Sequence, residues 1–427
     1  MMDVIEIQPV SRPLDATIRP PGSKSLTNRA LIAAALADGL SELRGALDSE
    51  DTRVMIDGLR RLGIAIIHDA AQQTIRVSGC SGRLPATSAD LFAANSGTTI
   101  RFLTALVAVG RGTYRLDGSA RMRERPIEDL LSALRQLGVD ARSANDSGCP
   151  PVIVHAAGLG GGKAKMRGDI SSQFLSGLLL AAPYAEAAVD LEIEGTLVSQ
   201  PYIRMTLAVM RSFGIDASGD DLSQFHIPLG RYRGRICEIE PDASAASYFF
   251  AAAAITGGRV TVLGLSRDSL QGDVAFCDCL AEMGCGVEFR SEGITTVGSR
   301  LRGIDVDMNT ISDTVQTLAA VALFAEGPTT IRNVAHIRHK ETDRIGNLAV
   351  ELRKLGAEVE ERSDGLRIVP RPLRGAEIST YNDHRMAMSL ALAGLRVPGI
   401  IIQDPRCTEK TYPNFFRDLT TLAVGKP

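Results

Sequence analysis

Apolar and polar positions recur along this chain in two kinds of helix-forming run. Runs of the first kind are apolar on every side and headed by small polar residues. They read LIAAALA after Ser25, FLTALVA after Asn95-Ser96-Gly97-Thr98, FLSGLLLAA after Ser171-Ser172-Gln173, YFFAAAA after Asp242-Ala243-Ser244, TLAAVALFA after Asp313-Thr314 and MAMSLALAG after Asn382-Asp383-His384. A helix with no polar face is predicted to be buried. Runs of the second kind end in an apolar residue plus glycine and lead into a β-branched strand: GLRRLGIAI, ALRQLGVDA, VMRSFGIDA, LAEMGCGVEF and ELRKLGAEVE. Segments such as GRVTVLGL and GPTTIRNV add strands of period two.

The closing glycines are Gly63, Gly138, Gly214, Gly284 and Gly356, with successive gaps of 75, 76, 70 and 72 residues. A fixed period of this kind marks an internal repeat. A sixth unit fits between Ala391 and the C-terminus, truncated before its glycine. The second helix of each unit also has a polar head, as in Asp48-Ser49-Glu50-Asp51-Thr52, Arg123-Glu124-Arg125-Pro126, Ser199-Gln200-Pro201-Tyr202 and Lys340-Glu341-Thr342-Asp343-Arg344. Pro126 and Pro201 suit first helical positions, and Asp51, Thr342 or Asp343 suit caps. Each unit therefore reads strand, helix, strand, helix, strand.

A unit of about 72 residues is too small for a core of its own, so the six are expected to pack in threes. The predicted fold is α/β: a two-domain inside-out α/β barrel with three repeats per domain, buried helices and outer sheets. The boundary is expected near Glu240-Pro241. One domain would span 22–240 and the other 1–21 plus 241–427, because the strand DVIEIQPV lacks a partner in the first unit. Helix starts from both halves would then surround one cleft.

Composition narrows the function. The chain has 427 residues, 44% apolar and 23% charged, with a formal net charge of -3, as expected of a soluble globular protein without a dedicated nucleic-acid surface. Aromatic residues make up 4% and Trp is absent, which leaves little for base stacking. Seven cysteines without a CxxC pair or matching His spacing point to reduced thiols and no metal site. No stretch reaches about 18 unbroken apolar residues and the N-terminus has no basic region before an apolar run, so a cytoplasmic protein without a membrane partner is expected.

The candidate chemistry lies at the helix heads. PPGSKSLTNRALIAAALADG, from Pro20 to Gly39, places hydroxyls, the Lys24 ammonium and unpaired amides at a helix start, with Arg29 one turn in. This suits an anion. It also suits a plain capped helix, and it is not a nucleotide P-loop. Arg101, Arg121, Arg123, Arg125, Arg204, Arg338, Lys340, Arg344, Arg385 and Lys410 stand at other heads, among the acids Asp51, Asp313, Glu341, Asp343 and Asp383. So many cations in a chain of negative net charge call for a ligand with more than one anionic group. Each acid alone also reads as a cap or a first-turn carboxylate, and His384 as a packing histidine.

Together PPGSKSLTNRALIAAALADG, NSGTTIRF, RERPI, SSQFLSGLLLAAP, SQPYI, SDTVQTLA, RHKETDRI, NDHRMAMSLAL and KTYPNFF resemble the 5-enolpyruvylshikimate-3-phosphate synthase (3-phosphoshikimate 1-carboxyvinyltransferase) family, in order and over nearly the whole chain. The resemblance implies transfer of the carboxyvinyl group of phosphoenolpyruvate to the 5-hydroxyl of shikimate 3-phosphate, on the route to chorismate and aromatic amino acids. It implies no cofactor, closure of two domains and small-molecule partners alone, and a monomer is expected. Carried over by position, Lys24, Ser25, Arg29, Ser171, Ser172, Gln173, Ser199, Tyr202, Asp313 and Lys340 would hold shikimate 3-phosphate. Lys24, Gly97, Arg125, Gln173, Arg344, Arg385 and Lys410 would hold phosphoenolpyruvate. Asp313 would accept the hydroxyl proton and Glu341 would donate one to the methylene carbon, with Lys24 beside them as a catalytic cation.

A sister family acting on UDP-N-acetylglucosamine opens with a Lys-Asn pair and uses a loop cysteine. Here Ser25 follows Lys24 and no comparable cysteine is present. An RNA phosphate cyclase built on similar repeats would want a wider basic face. His336 stands where some members have an Asn ligand and is not carried over, and Phe102 stands where many have Pro. Gly97 lacks a side chain, which would leave open the place used by glyphosate in sensitive members. Glyphosate is therefore expected to inhibit in competition with phosphoenolpyruvate; steady-state kinetics showing no effect at millimolar inhibitor would refute this.

Overall fold

In the computed structural model, which describes residues 3–219 and 221–424, the six apolar runs form six buried helices. They are α1 (Lys24–Leu36), α2 (Gly97–Ala108), α3 (Ser172–Ala181), α4 (Ala243–Thr256), α5 (Val315–Ala322) and α6 (His384–Ala391). Every residue of α2, α4, α5 and α6 is buried. The small polar heads act as caps. Ser23, Ser96, Ser171, Asp242 and Asp383 each accept a first-turn backbone N–H, which satisfies donors that a helix start leaves orphaned. A 3-10 stretch, Asn309–Thr314, leads into α5.

The described chain divides into two units: a first, Gly22–Ile239, and a second, Met1–Pro21 with Glu240–Pro427. Each has its own apolar core. In the first unit α1, α2 and α3 pack on one another, and in the second α5 packs on both α4 and α6. Between α4, α5 and α6 the hydroxyls of Ser247, Thr317 and Ser389 link at 3.1 and 3.3 Å. The buried helices thus meet through matched hydroxyls as well as apolar contact.

Among the described residues the strands form six sheets, all mixed. All six share one pairing order, a parallel pair followed by an antiparallel neighbour. In Ser88–Phe92, Arg111–Asp117 and Val152–Ala157 the first two strands run parallel and the last two antiparallel. Gly162–Arg167, Val189–Glu194 and Gln224–Ile227 repeat it. The repeat read from the glycines is therefore a repeat of topology, not only of sequence.

Two strands are exchanged. Asp15–Ile18 precedes α1 in the chain but pairs with Arg259–Leu263, after α4. Ile236–Glu238 precedes α4 but pairs with Leu40–Arg44, after α1. Val4–Ile7 joins Ile400–Gln403, so the N-terminal strand completes the last sheet.

The second helices close where the pattern places them. Gly63, Gly138, Gly214, Gly284 and Gly356 all have φ between 85° and 108°, the left-handed conformation that ends a helix and favours glycine. Three expectations need correction, the slightest being that Pro201 is the second residue of its helix, Gln200–Ser212, and not the first. Pro126 is not a first helical residue: a 3-10 turn, Met122–Glu124, is followed by extended Arg125, and the helix starts only at Glu128. Asp51 is not a cap, because Ser49 and Thr52 form a reciprocal capping box and Asp51 lies in the first turn. Asp343 does act as a cap, accepting the Ile345 and Gly346 N–H groups at 3.0 Å each.

The entry to α1 depends on close backbone approach. A Cβ on Gly22 would stand 1.9 Å from the Gly45 carbonyl oxygen, and a backbone atom cannot swing away as a side chain can. Gly22→Ala is expected to lower stability by about 1–3 kcal/mol, read as a lower urea midpoint. A midpoint equal to the parent's would show that the approach is not required.

Candidate active site

In the first unit, cations stand at and beside the starts of α1, α2 and α3. The Lys24 ammonium lies 3.7 Å from the Asp51 carboxylate. The Thr99 hydroxyl donates to the Asp51 carbonyl at 3.4 Å, which joins the head of α2 to that of the helix Glu50–Arg61. Arg101 donates to the Gln173 side-chain oxygen at 2.6 Å and to the Pro126 carbonyl at 3.0 Å, which joins α2 to α3. Gln173 also reaches Thr98. Arg125 donates to the Asn95 carbonyl at 3.0 Å. A Cβ on Gly97 would stand 2.4 Å from Arg125 Nη2 and 2.7 Å from Arg101 Nη1. The missing side chain is what lets two guanidiniums close over this helix start.

Arg29 is 2% exposed and has no carboxylate partner among the described residues. It donates to the Thr206 and Ser176 hydroxyls at 2.7 and 3.1 Å, and to the Ser25 and Tyr202 carbonyls at 3.0 and 3.1 Å. Its guanidinium carbon lies 5.4 Å from the Phe102 ring and 5.8 Å from the Tyr202 ring, within cation–π range. Burial pushes Arg29 down to about 10, so it stays charged at neutral pH. Phe102 lies inside the unbroken α2, and its ring lines this guanidinium.

Ser25, Ser171 and Tyr202 are half-buried, while Ser172 and Ser199 are buried. Ser199 has φ 54°, a left-handed conformation uncommon outside glycine. Arg29, through the Tyr202 carbonyl, ties the turn after Ser199 to α1. The sequence-predicted residues of this unit thus come together at adjoining helix heads. Ser176 and Thr206, which hold Arg29, were not anticipated: each reads as an ordinary hydroxyl on a buried face.

In the second unit a denser cluster surrounds Arg344. It forms a two-point pair with Asp383, at 2.7 and 3.1 Å, and reaches Glu341 at 2.9 Å and Asp313 at 3.3 Å. Arg385 donates to the other oxygen of Asp313 at 2.8 Å. Lys340 lies 3.8 Å from Asp313 and Lys410 3.6 Å from Glu341. Burial alone would lower Arg344, but Asp383, Glu341 and Asp313 outweigh it and hold the group above its ordinary value. Asp383 is fully buried and caps α6 as well, accepting the Arg385 N–H at 2.9 Å. Its role as the main counter-ion of Arg344 was not legible as a separate signal, since NDHR reads as a helix head.

The sequence model of the family described as EPSP synthase (3-phosphoshikimate 1-carboxyvinyltransferase) matches residues 9–419. The chain belongs to the EPSP synthase family. A 3-phosphoshikimate 1-carboxyvinyltransferase of Trichormus variabilis is 51% identical over 97% of this chain and 98% of its own. One from Shewanella amazonensis is 45% identical over 99% of each. Among solved structures, EPSP synthase from Acinetobacter baumannii aligns with TM-score 0.81 at 26% identity, over 99% of this chain and 97% of its own. The motif resemblance is thus that of the family. No described helix is long and apolar enough to cross a membrane.

His336, which the motif resemblance leaves without an assigned role, is buried. Burial, then the Lys340 ammonium, push its imidazole from 6.5 down to about 3, so it is neutral at pH 7. Between those values the unfolded chain binds a proton that the folded chain refuses. Stability therefore rises with pH across this window and is lost as pH falls from 6.5 towards 3. His336→Asn is expected to lose less stability than the parent between about pH 6.5 and pH 4, measured as urea midpoints. Equal losses in both proteins would refute it.

Proposed function

We propose that this chain transfers the carboxyvinyl group of phosphoenolpyruvate to the 5-hydroxyl of shikimate 3-phosphate, releasing phosphate. The observation that carries the reading is the gathering of cations at the helix heads. In the first unit Lys24 stands at the head of α1, Arg29 is buried among hydroxyls and carbonyls, and Arg101 and Arg125 close over Gly97. Guanidiniums and an ammonium fixed at helix starts are suited to anionic ligands. Membership of the EPSP synthase family supplies the identity of those anions.

In this reading Ser171, Ser172 and Ser199 take the phosphate of shikimate 3-phosphate, while Lys24, Ser25, Arg29, Gln173, Tyr202 and Lys340 hold the rest of that substrate. Gly97, Arg125, Gln173, Arg344, Arg385, Lys410 and Lys24 hold phosphoenolpyruvate. The 5-hydroxyl oxygen bonds to C2 of phosphoenolpyruvate, its proton passes to Asp313, and Glu341 gives a proton to C3, forming a tetrahedral adduct. Loss of phosphate and of one C3 proton then leaves the enol ether. Both steps shift charge between oxygens that fixed cations can stabilise.

Asp313 is held by Arg344 and Arg385, the groups assigned to phosphoenolpyruvate. A bound carboxylate would draw those guanidiniums towards itself and free the Asp313 oxygens to accept a proton. The base is in this way activated by the arrival of its co-substrate. The same reading takes each unit as a three-copy inside-out barrel, with domains at 22–240 and 1–21 plus 241–427, and the enzyme as a cytoplasmic monomer.

The test is phosphate release from phosphoenolpyruvate, which should require shikimate 3-phosphate. Asp313→Ala should cut turnover by about a hundredfold or more while shikimate 3-phosphate still binds by calorimetry. Phosphate release independent of shikimate 3-phosphate would overturn the function, and an unchanged rate in the variant would remove Asp313 as the base.

A further inference from the structure

The helix that follows Arg344 carries a charged group with no part in the chemistry above. Glu351 lies within Gly346–Lys354 and is 0% exposed. A carboxylate is rarely kept there unless partners hold it. Two of its partners lie on one short segment. The Ser379 N–H donates to Glu351 Oε2 at 3.1 Å and the Tyr381 hydroxyl donates to Oε1 at 2.7 Å. The Lys354 ammonium, 2.8 Å away, balances the charge.

That segment runs directly into Asp383, and its geometry is unusual. Tyr381 and Asn382 both adopt left-handed backbone, with φ 54° and 53°. Asn tolerates this conformation, but for Tyr it is strained. Such strain persists only where the surroundings hold it in place. Beyond Glu351, the segment is tied by the Asp383 N–H to the Thr380 carbonyl at 2.9 Å and by Ser379 Oγ to Gln403 at 3.1 Å.

Arg344 and Glu351 are seven residues apart on one helical path. The N–H groups of Asn347 and Ala349 donate to the carbonyls of Asp343 and Ile345 at 3.0 Å each, so the turn that carries Arg344 leads into the helix that carries Glu351. Residues seven apart on such a path lie on the same side, about 10 Å apart along the axis. The helix and its leading turn therefore grip the 379–383 segment at two points: Arg344 holds Asp383, and Glu351 holds Ser379 and Tyr381.

We infer that Glu351 is a positioning residue for the carboxylate-binding group, a remote anchor that fixes the left-handed turn and, through it, Asp383 and Arg385. The inference rests on the proposed role of Arg385 towards phosphoenolpyruvate. Glu351→Ala deletes both bonds to the turn, and Tyr381→Phe deletes one. Glu351→Gln can keep both, its amide oxygen accepting from Ser379 and its NH2 donating to the Tyr381 oxygen.

Glu351→Ala is expected to raise KM for phosphoenolpyruvate about tenfold, equivalent to ~1.4 kcal/mol, with KM for shikimate 3-phosphate nearly unchanged. Tyr381→Phe should shift the same constant in the same direction by less, and adding it to Glu351→Ala should do nothing further. Glu351→Gln should recover most of the loss. Hydrogen exchange over residues 379–385 should quicken in Glu351→Ala and not in Glu351→Gln.

A lowered unfolding midpoint with unchanged KM would make Glu351 a stabilising residue only and overturn the proposal. So would a raised KM without faster exchange, or a Glu351→Gln variant as impaired as Glu351→Ala. Should Glu351→Ala not fold, Tyr381→Phe, which leaves the carboxylate and its other partners in place, decides by the same two readings. If the parent itself shows no phosphate release dependent on shikimate 3-phosphate, the functional reading fails instead, and hydrogen exchange alone decides whether Glu351 anchors the turn.

Discussion

Burying a guanidinium removes its water, at a cost of several kcal/mol unless other groups take over the solvation. The chain meets this constraint in two ways. Arg344 is solvated by carboxylates from three segments, Asp313, Glu341 and Asp383. Arg29 is solvated by two hydroxyls, two carbonyls and two aromatic faces. The first solution produces a nearly neutral cluster of fixed geometry. The second keeps the charge of the guanidinium among neutral partners. Supplying these partners from distant parts of the sequence is what the fold accomplishes.

The repeat makes that supply possible. Six buried helices begin in polar heads, five of them capped by a side chain, and a capped head is a fixed point from which side chains project with little freedom. Within each unit, heads that are some 70 residues apart in sequence come within hydrogen-bond reach, as Arg385 Nη2 and Asp313 Oδ2 do at 2.8 Å. Divergence between copies then assigns the roles. The copy at α2 has Gly97, whose absent side chain admits two guanidiniums. The copy at α6 has Asp383, which caps its helix and neutralises Arg344 at once.

The architecture was legible because its signals are local. An apolar run with no polar face, a closing glycine and a small polar head each report one residue's immediate surroundings, and their recurrence makes the repeat readable. Most candidate site residues were legible through motif resemblance, and their cationic character was visible directly. Partner choice was not. Nothing in HKETDR indicates that Arg344 turns to Asp383, thirty-nine residues on, as well as to Glu341 beside it. Nothing in TLAVMRS marks Thr206 as a ligand of Arg29. Glu351 looks like a solvent-facing helix glutamate, because its burial is decided by Tyr381 folding over it. The misplaced cap at Asp51 and helix start at Pro126 have a similar cause: neighbouring residues offered a better local bond.

The exchange of Asp15–Ile18 and Ile236–Glu238 bears on how the molecule is made. During synthesis Asp15–Ile18 must wait for Arg259–Leu263 before it finds its neighbour, and Val4–Ile7 must wait for Ile400–Gln403. The first unit needs no such wait, since Ile236–Glu238 and Leu40–Arg44 both lie within Gly22–Ile239. One unit can thus assemble as it emerges, while the other keeps loose ends until Ile400–Gln403 has been made.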